Sequence, residues 1–133
     1  MRKMSKLKIT EVMKRASFLR AGTKMILKVD LSNLESIEDV ERVVAYFRSM
    51  VEKMPKKSIV GLVNFVGLKV ADEVAQEMIH LAEFCNPYFR ATAVIVNNDA
   101  TEGLANAIIN HFDKINIPIY QEEEPAKEWL FSQ

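Results

Sequence analysis

The sequence predicts an α/β fold in which a mainly parallel sheet of four or five strands is flanked by helices. After residue 23, short apolar runs alternate with amphipathic helical patterns in the order β-α-β-α-β-α-β-α, which is typical of repeated crossover units. The apolar runs show no polar alternation, as expected for parallel strands covered on both faces. With 133 residues, 49% hydrophobic and 27% charged, the chain has the size and composition of one domain. We place that domain at residues 24–133, after a basic N-terminal segment at residues 1–23.

The first unit begins with the apolar run Met25–Asp30, which predicts a buried strand. Ser36 is a favourable N-cap for the helix that follows, and Asp39 lies three residues later, as in a near capping box. Apolar side chains then recur at spacings of three and four as far as Met54, which marks one face of a helix. Pro55 is expected to end that helix.

The second unit combines the run Ser58–Phe65 with a helix that starts near residue 70. The apolar stripe of this helix ends at Cys85, and the pair Asn86–Pro87 stops it. Because Cys85 lies on that stripe, we interpret it as a packing residue rather than a nucleophile.

The third and fourth units complete the pattern. Ala91–Val96 predicts a buried strand, and Asp99 or Thr101 is expected to cap the next helix. The last strand is placed at Ile115–Tyr120, at the edge of the sheet, because the proline within it lacks an amide donor. A closing helix is expected to begin at Pro125.

The N-terminal segment fits two structures. A hairpin is one option, with Ser17–Ala21 paired to Lys24–Asp30. A helix capped by Gly22 is the other, and we favour it slightly. Its apolar stripe would consist of Ile9, Val12, Met13, Ala16 and Leu19.

Charge is distributed unevenly along a chain whose formal net charge is zero. Residues 1–24 contain eight basic residues and one glutamate, a net charge of +7, so the remainder carries −7. This basic segment can contact an anionic surface such as nucleic acid or lipid. We favour the simpler interpretation, in which it packs on, or is solvated beside, its own acidic domain. The sequence shows no transmembrane run and no secretory signal, which predicts a cytoplasmic protein with a reduced cysteine.

No motif in the sequence predicts catalysis. It has neither G-x-G-x-x-G nor G-x-x-x-x-G-K-[ST], and its four glycines do not cluster, so a phosphate-binding turn is not expected. It has no G-x-S-x-G, H-E-x-x-H or C-x-x-C pattern, and one cysteine with two histidines is a poor metal set. We therefore predict a protein that is not an enzyme and that uses no cofactor and no metal.

The most favourable place for a binding site is the edge at which the parallel strands end. Six residues close to those ends are our candidates: Asp30, Ser32, Asn64, Gly67, Asn97 and Asp99. Turns and helix caps require the same residue types, and we favour this structural interpretation while the binding one stays open.

A second candidate site is apolar. Residues on both sides of Pro87 are dense in aromatic rings, which indicates core packing or, less favoured, a pocket or a subunit contact. The residues that would line a pocket for a small apolar or anionic ligand are Phe65, Leu68, Phe84, Tyr88 and Phe89.

Several longer segments resemble one group of proteins. They are Met25–Asn33, Ile59–Phe65 with Gly67 and Leu68, Val70–Val74, Asn86–Tyr88, Arg90–Val96 and the closing Glu124–Leu130. Together they resemble small bacterial proteins of the STAS-domain superfamily (sulfate transporter and anti-sigma-factor antagonist), in particular its SpoIIAA-like members. The resemblance spans about residues 24–131, and the closing segment is its most specific part.

This resemblance implies a STAS-like sheet and a non-enzymatic, regulatory or protein-interaction role with a partner protein still unidentified, a homodimer being one option. In the phospho-switched members a serine or threonine opens the helix after the second core strand. The corresponding stretch here, Asn64–Val70, contains neither, so we do not transfer the phosphorylation switch. Some SpoIIAA-like relatives are compared with lipid-carrying folds, which keeps a lipid-like ligand as the alternative function.

Overall fold

The predicted alternation becomes five strands and five helices in a computed structural model, which describes residues 4–21, 23–112 and 116–133. In chain order these elements are α1 (Ile9–Lys14), β1 (Ala16–Ala21), β2 (Lys24–Asp30), α2 (Ile37–Val51), β3 (Ile59–Asn64), α3 (Asp72–Cys85), β4 (Phe89–Ile95), α4 (Asp99–His111), β5 (Ile119–Tyr120) and α5 (Glu123–Phe131). Among the described residues, no helix has the length and apolar character needed to cross a membrane.

The strands form one sheet in the order β1-β2-β3-β4-β5, with β1 antiparallel to β2 and all other neighbours parallel. Each crossover advances the sheet by one strand in the same direction, so right-handed connections place α2, α3 and α4 on one face. α5 follows the last strand and packs against β2, β3, β4 and β5 on the other face. The predicted mainly parallel α/β architecture is confirmed.

Both faces of the sheet are buried, each in its own apolar cluster. The larger cluster lies under α2, α3 and α4 and includes Leu27 and Phe47. The smaller cluster joins Ile26 and Leu62 of the sheet to Leu130 of α5. Because successive side chains of a strand point to opposite faces, a strand covered twice needs apolar residues at every position. This explains the lack of polar alternation in the sequence.

The N-terminal segment contains both predicted alternatives, one after the other. α1 ends at Lys14, and the chain then forms β1, which pairs with β2 from Ala16 opposite Val29 to Ala21 opposite Lys24. The favoured single helix reaching Leu19 is therefore wrong, because backbone pairing to β2 outweighs the helical spacing of the side chains. Gly22, the expected cap, lies outside the described residues.

The start of α2 is as predicted, since the Asp39 amide donates to Ser36 Oγ at 3.2 Å. The start of α4 differs. Its N-cap is Asn98, which forms a capping box with Thr101, so the predicted caps at Asp99 and Thr101 are wrong. Thr101 takes part as the third helical residue of that box, one of the patterns that satisfy the first free amides of a helix.

The C-terminal unit is shorter than the sequence suggests. β5 comprises Ile119 and Tyr120 and lies at the edge of the sheet, as Pro118 predicts. The expected start at Ile115 lies outside the described residues. α5 begins two residues before Pro125, so this proline occupies the third helical position rather than the first. Proline remains tolerated there because the amides of the first turn have no partner within the helix.

Candidate functional site

Two loops at the carboxyl edge of the sheet are joined by backbone hydrogen bonds. They are residues 31–36, after β2, and residues 65–71, after β3. The Asn33 amide donates to the Val66 carbonyl at 2.9 Å, and the Lys69 amide donates to the Leu34 carbonyl at 3.0 Å. The two loops therefore hold each other in place.

The loop after β4, residues 96–98, is attached to this pair through Asn97. Its Oδ1 accepts a hydrogen bond from the Gly67 amide at 3.0 Å, and its own amide donates to Thr101 Oγ1 at 3.1 Å. The surface formed by residues 31–36, 65–71 and 96–98 is called the rim below. Three consecutive crossovers thus contribute to one connected surface.

Gly67 is required at its position in the rim. Its φ is 71°, in the left-handed region that favours glycine. A Cβ on this residue would lie 2.1 Å from Asn33 Oδ1, and Asn33 itself has a φ of 61°. The sequence identified Gly67 as a candidate, and the close approach to Asn33 supplies the physical reason for a glycine there.

Asp30 and Asn64 occupy equivalent places at the ends of neighbouring strands, where they are partners in the parallel register. Asp30 Oδ1 accepts from the Ser32 amide, and Asn64 Oδ1 accepts from the Val66 amide, both at 2.9 Å. Each side chain therefore stabilises the turn that follows its own strand. These contacts give both residues a structural role, and they leave the binding role a prediction.

Sequence reasoning missed Arg15, which ties β1 to the rim. Its Nη1 donates to the Asp30 carbonyl at 3.1 Å and to the Ser32 carbonyl at 2.9 Å, and it lies 3.9 Å from Asp30 Oδ1. No local pattern could have identified it, because these contacts exist only once β1 pairs with β2.

The structure thus connects five of the six candidates, and Asp99 is set apart. Asp99 follows the rim residue Asn98 directly and is exposed in the first turn of α4, and in the described part of the chain its side chain forms no hydrogen bond or ion pair with the other rim loops. At the other helix of the rim, the N-cap of α3 is Ala71, whose side chain forms no capping hydrogen bond. The residue that opens α3 therefore has no hydroxyl group.

A cavity of about 360 Å³ lies on the α3 and α4 face of the sheet. Its walls come from β3, β4, α3 and α4, with the segment before β5 at one side. Phe65 and Phe89 line it as predicted, whereas Leu68, Phe84 and Tyr88 do not. The cavity therefore brings together two of the five candidate residues, and ligand binding stays a prediction.

The other three residues have different surroundings. Leu68 is buried in the larger apolar cluster. Phe84 and Tyr88 pack on each other with ring centroids 5.7 Å apart, and the Arg48 guanidinium lies 4.3 Å from the centre of the Phe84 ring. Phe84 precedes Cys85 on α3, and one residue rotates a helix by about 100°, which turns Phe84 away from the cavity that Cys85 lines.

The position of Phe89 depends on a second glycine that the sequence did not single out. The Phe89 ring lies over Gly61, where a Cβ would come within 2.2 Å of the ring. The register between β3 and β4 also shifts at this point, with Ile59 opposite Phe89 and Val60 opposite Ala91. Glycine and the shift together let the ring enter the apolar layer beside the cavity.

Two basic residues and one thiol add chemistry to the apolar cavity wall. Lys57 and Arg90 line it near the amino-terminal ends of β3 and β4. Cys85 also lines it, and burial raises the pKa of its thiol to about 12, although Arg48 acts in the opposite direction. At neutral pH this thiol is protonated, so it acts as an apolar wall atom rather than as a nucleophile.

One solved structure shows the same fold. The crystal structure of an uncharacterized protein from the DUF3478 family, with a SpoIIAA-like fold, from Shewanella loihica PV-4 is 19% identical to this chain. The similarity covers 86% of this chain and 91% of that one, with a TM-score of 0.68. No protein-family model and no curated protein matches the chain. The predicted SpoIIAA-like fold is confirmed.

Proposed function

We propose that this protein is a non-catalytic, STAS-like binding module that engages a partner protein through the rim. The observation that supports the proposal is the set of hydrogen bonds that fixes three separate loops into one surface. A surface that is already ordered loses little conformational entropy on binding. Asn33, Lys69 and Asn97 are exposed on it and are available to a partner.

The same contacts argue against proton transfer at the rim. Asp30 Oδ1 and Asn64 Oδ1 each accept a hydrogen bond from a backbone amide two residues on, which fixes both side chains in turns. A general base has to be aimed at a substrate proton instead. With Ala71 at the start of α3, phosphorylation at that position is not available to release a partner, so regulation would come from partner abundance or from another site.

The test is site-specific photocrosslinking in the cells that produce the protein. A photoreactive amino acid replaces Lys69 in the rim or, as a control, Lys53, which is exposed after α2 and outside the rim. We expect one protein to be captured from Lys69 and not from Lys53. With that protein purified, Lys69→Glu should weaken binding by about tenfold and Lys53→Glu should leave it unchanged. Equal capture from both positions, or equal affinity of both variants, would reject the rim as the contact surface.

The second candidate function is the binding of a small apolar or anionic ligand, and the cavity favours it. Its volume of about 360 Å³ falls within the range of roughly 300–1,000 Å³ that small-molecule sites occupy. An apolar wall with Lys57 at one side suits a ligand with an apolar body and a negatively charged end. The Arg90 guanidinium donates instead to the Gln133 carbonyl after α5.

Native mass spectrometry of the purified, untagged protein tests this candidate. Ala82→Leu adds bulk to the cavity wall, whereas Ala45→Leu adds the same bulk at an exposed position of α2. We expect a stoichiometric extra mass on the wild-type protein and on Ala45→Leu, and none on Ala82→Leu. A bare wild-type chain, or a mass that all three proteins keep, would contradict binding in the cavity. The same spectra report whether the chain forms a homodimer.

A further inference from the structure

Exposed apolar side chains are concentrated near the N-terminus. Within residues 4–21, 23–112 and 116–133, the large hydrophobic side chains that are exposed are Met4, Ile9, Met13, Phe18 and Met25. Met4 is 89% exposed and Ile9 61% exposed. Single exposed apolar residues need no explanation, but their concentration on one segment marks an interaction surface.

The geometry of α1 separates its apolar from its acidic side chains. Ile9 and Met13 lie one turn apart and therefore share a face of the helix. Glu11 is two residues from each of them, about 200° around the helix. Val12 is 2% exposed and anchors α1 to the rest of the molecule.

Phe18 and Met25 extend the apolar surface along the edge of the sheet. In the β1–β2 register, Phe18 lies opposite Leu27 and Arg20 lies opposite Met25. Leu27 belongs to the larger apolar cluster, so alternation along the strands puts Phe18 and Met25 on the same face of the sheet as that cluster. α1 packs against both β1 and α2 on this side.

The segment that carries these residues is docked on the domain. Ser5 Oγ and the Lys6 amide donate to Asp39 Oδ1 at 2.6 and 2.9 Å, and the Arg42 side chain donates to the Leu7 carbonyl. The domain therefore holds the apolar side chains outward while the backbone of the segment is fixed.

Exposed basic residues are interspersed along the chain with the exposed apolar residues. Residues 1–24 carry a net charge of +7, and the basic side chains that the structure shows exposed there are Lys6, Lys8, Lys14, Arg20 and Lys24. The five apolar residues together with Lys6, Lys8, Lys14 and Arg20 are called the basic–apolar surface below. Lys24 is not part of it, because its Nζ donates to the Phe131 carbonyl of α5 on the other face of the sheet. The simpler expectation, that the basic segment packs on, or is solvated beside, its own acidic domain, accounts for exposed charges but not for the exposed apolar side chains among them.

We propose that the basic–apolar surface binds the surface of a membrane that contains anionic lipids. Apolar side chains flanked by lysines gain from entering the boundary between headgroups and acyl chains, while the lysines are attracted to the lipid charge. A nucleic-acid surface would instead combine cations with several stacking rings. Phe18 is the single aromatic residue among the five exposed apolar side chains, which favours lipid.

Co-sedimentation of the full chain with lipid vesicles tests the proposal. The probes are vesicles of phosphatidylcholine alone and vesicles of phosphatidylcholine mixed with phosphatidylglycerol. We expect binding to the mixed vesicles, little binding to phosphatidylcholine alone, and weaker binding as salt is raised. Failure of the wild-type chain to sediment with the mixed vesicles would overturn the proposal.

Two double variants separate the apolar from the electrostatic contribution. Ile9→Ser with Met13→Ser removes apolar contacts, and Lys8→Glu with Lys14→Glu reverses charge. Each should reduce the vesicle partition coefficient by roughly tenfold or more. Lys53→Glu with Lys56→Glu is a matched charge reversal at exposed positions outside the surface. Its partition coefficient for mixed vesicles should be at least about tenfold higher than that of Lys8→Glu with Lys14→Glu. Circular dichroism verifies that each variant is folded.

Three further results would overturn the proposal. The first is equal vesicle binding by the wild-type chain and both surface variants. The second is a wild-type oligomer, seen by analytical ultracentrifugation, that Ile9→Ser with Met13→Ser dissociates, because a second copy would then cover the surface. The third is binding to single-stranded poly(U) that displaces the vesicles and is unaffected by the serine variant, because the surface would then be a nucleic-acid site.

Discussion

Single residues fix the geometry of the rim, and Gly67 does so by having no side chain. Its positive φ and the proximity of Asn33 Oδ1 leave no space for a Cβ. Gly103, on the exposed side of α4, has no atom within 4 Å of the place where a Cβ would be. The same substitution should therefore have opposite effects at these two glycines.

We expect Gly67→Ala to lower the free energy of unfolding by about 1–3 kcal/mol, because alanine is strained at positive φ and would displace Asn33. Gly103→Ala should raise it by about 0.5–1 kcal/mol, because alanine loses less backbone entropy in a helix. Urea denaturation of both variants measures the difference. Equal effects at the two positions would contradict the role assigned to Gly67.

Asp39 is the residue that joins the N-terminal segment to α2. Burial by itself raises the pKa of this carboxyl group, but hydrogen bonds from Ser5 and from the Lys6 amide, among others, outweigh burial and hold the pKa below its ordinary value. The ionised form is thus favoured in the folded protein. Its contribution to stability is present above the unfolded-state pKa and is lost as the pH falls through the folded-state pKa.

Asp39→Asn should therefore lower the free energy of unfolding at pH 7 by about 1–3 kcal/mol, the range for hydrogen bonds to a charged group. The gap between wild type and variant should narrow as the pH falls below about 4, because the wild-type carboxylate becomes protonated. Urea denaturation at a series of pH values measures the gap. If the difference in free energy of unfolding stays constant down to pH 2.5, the charge of the Asp39 carboxylate is not the source of its stabilising effect.

At the scale of elements, the helices begin in different ways. Ser36 caps α2 with one side-chain hydrogen bond, and Asn98 caps α4 through a capping box with Thr101. α3 begins at the rim after Ala71 without a side-chain cap. The capping box holds the start of α4 next to Asn97, which in turn binds the Gly67 amide. The cap of α4 therefore also supports the rim.

Asn98→Ala should destabilise the protein by about 1–2 kcal/mol, because it leaves the Thr101 amide without its acceptor. Asn106→Ala, at an exposed position within the same helix, should change stability by no more than about 0.5 kcal/mol. Thermal denaturation followed by circular dichroism compares the two. A similar loss in both variants would show that the effect does not come from the cap, because alanine has a higher helix propensity than asparagine.

At the scale of the whole molecule, the two faces of the sheet are covered unequally. α2, α3 and α4 cover one face, whereas α5 is the helix that packs on the other in the described part of the chain. Lys28 of β2 and Glu123 of α5 form an ion pair at this interface, and their contact helps to hold the pKa of Glu123 below its ordinary value despite burial. The second apolar cluster depends on this short helix.

Leu130→Ala should lower the free energy of unfolding by about 2–5 kcal/mol, because Leu130 is 1% exposed and its loss leaves a cavity against the sheet. Glu128→Ala, on the exposed side of α5, should have an effect below about 0.5 kcal/mol. Trp129 is the single tryptophan and its fluorescence reports the unfolding of this region. Comparable stability of the two variants would show that α5 contributes little to the fold.

The sequence by itself determined the α/β class, the order of the units after residue 23 and the SpoIIAA-like fold. Apolar periodicity carries the class and the order of the units, because burial of a strand on two faces or of a helix on one face constrains each position locally. The SpoIIAA-like fold was expected from the resemblance of longer segments to that group of proteins. The sequence also located polar residues at the strand ends, because the turns that follow strands favour Asp, Asn, Ser and Gly. For this reason five of the six rim candidates lie together in the structure.

Only the tertiary structure decided what depends on contacts between distant segments. The β1 pairing, the role of Arg15 and the place of Phe89 over Gly61 all require partners far away in the sequence. The same holds for the cavity, which Phe84 and Tyr88 do not line, and for the basic–apolar surface, where helical spacing placed Ile9 and Met13 on one apolar stripe without showing whether that stripe is covered. Side-chain spacing fixes which residues share a face, but whether that face is covered depends on the rest of the fold.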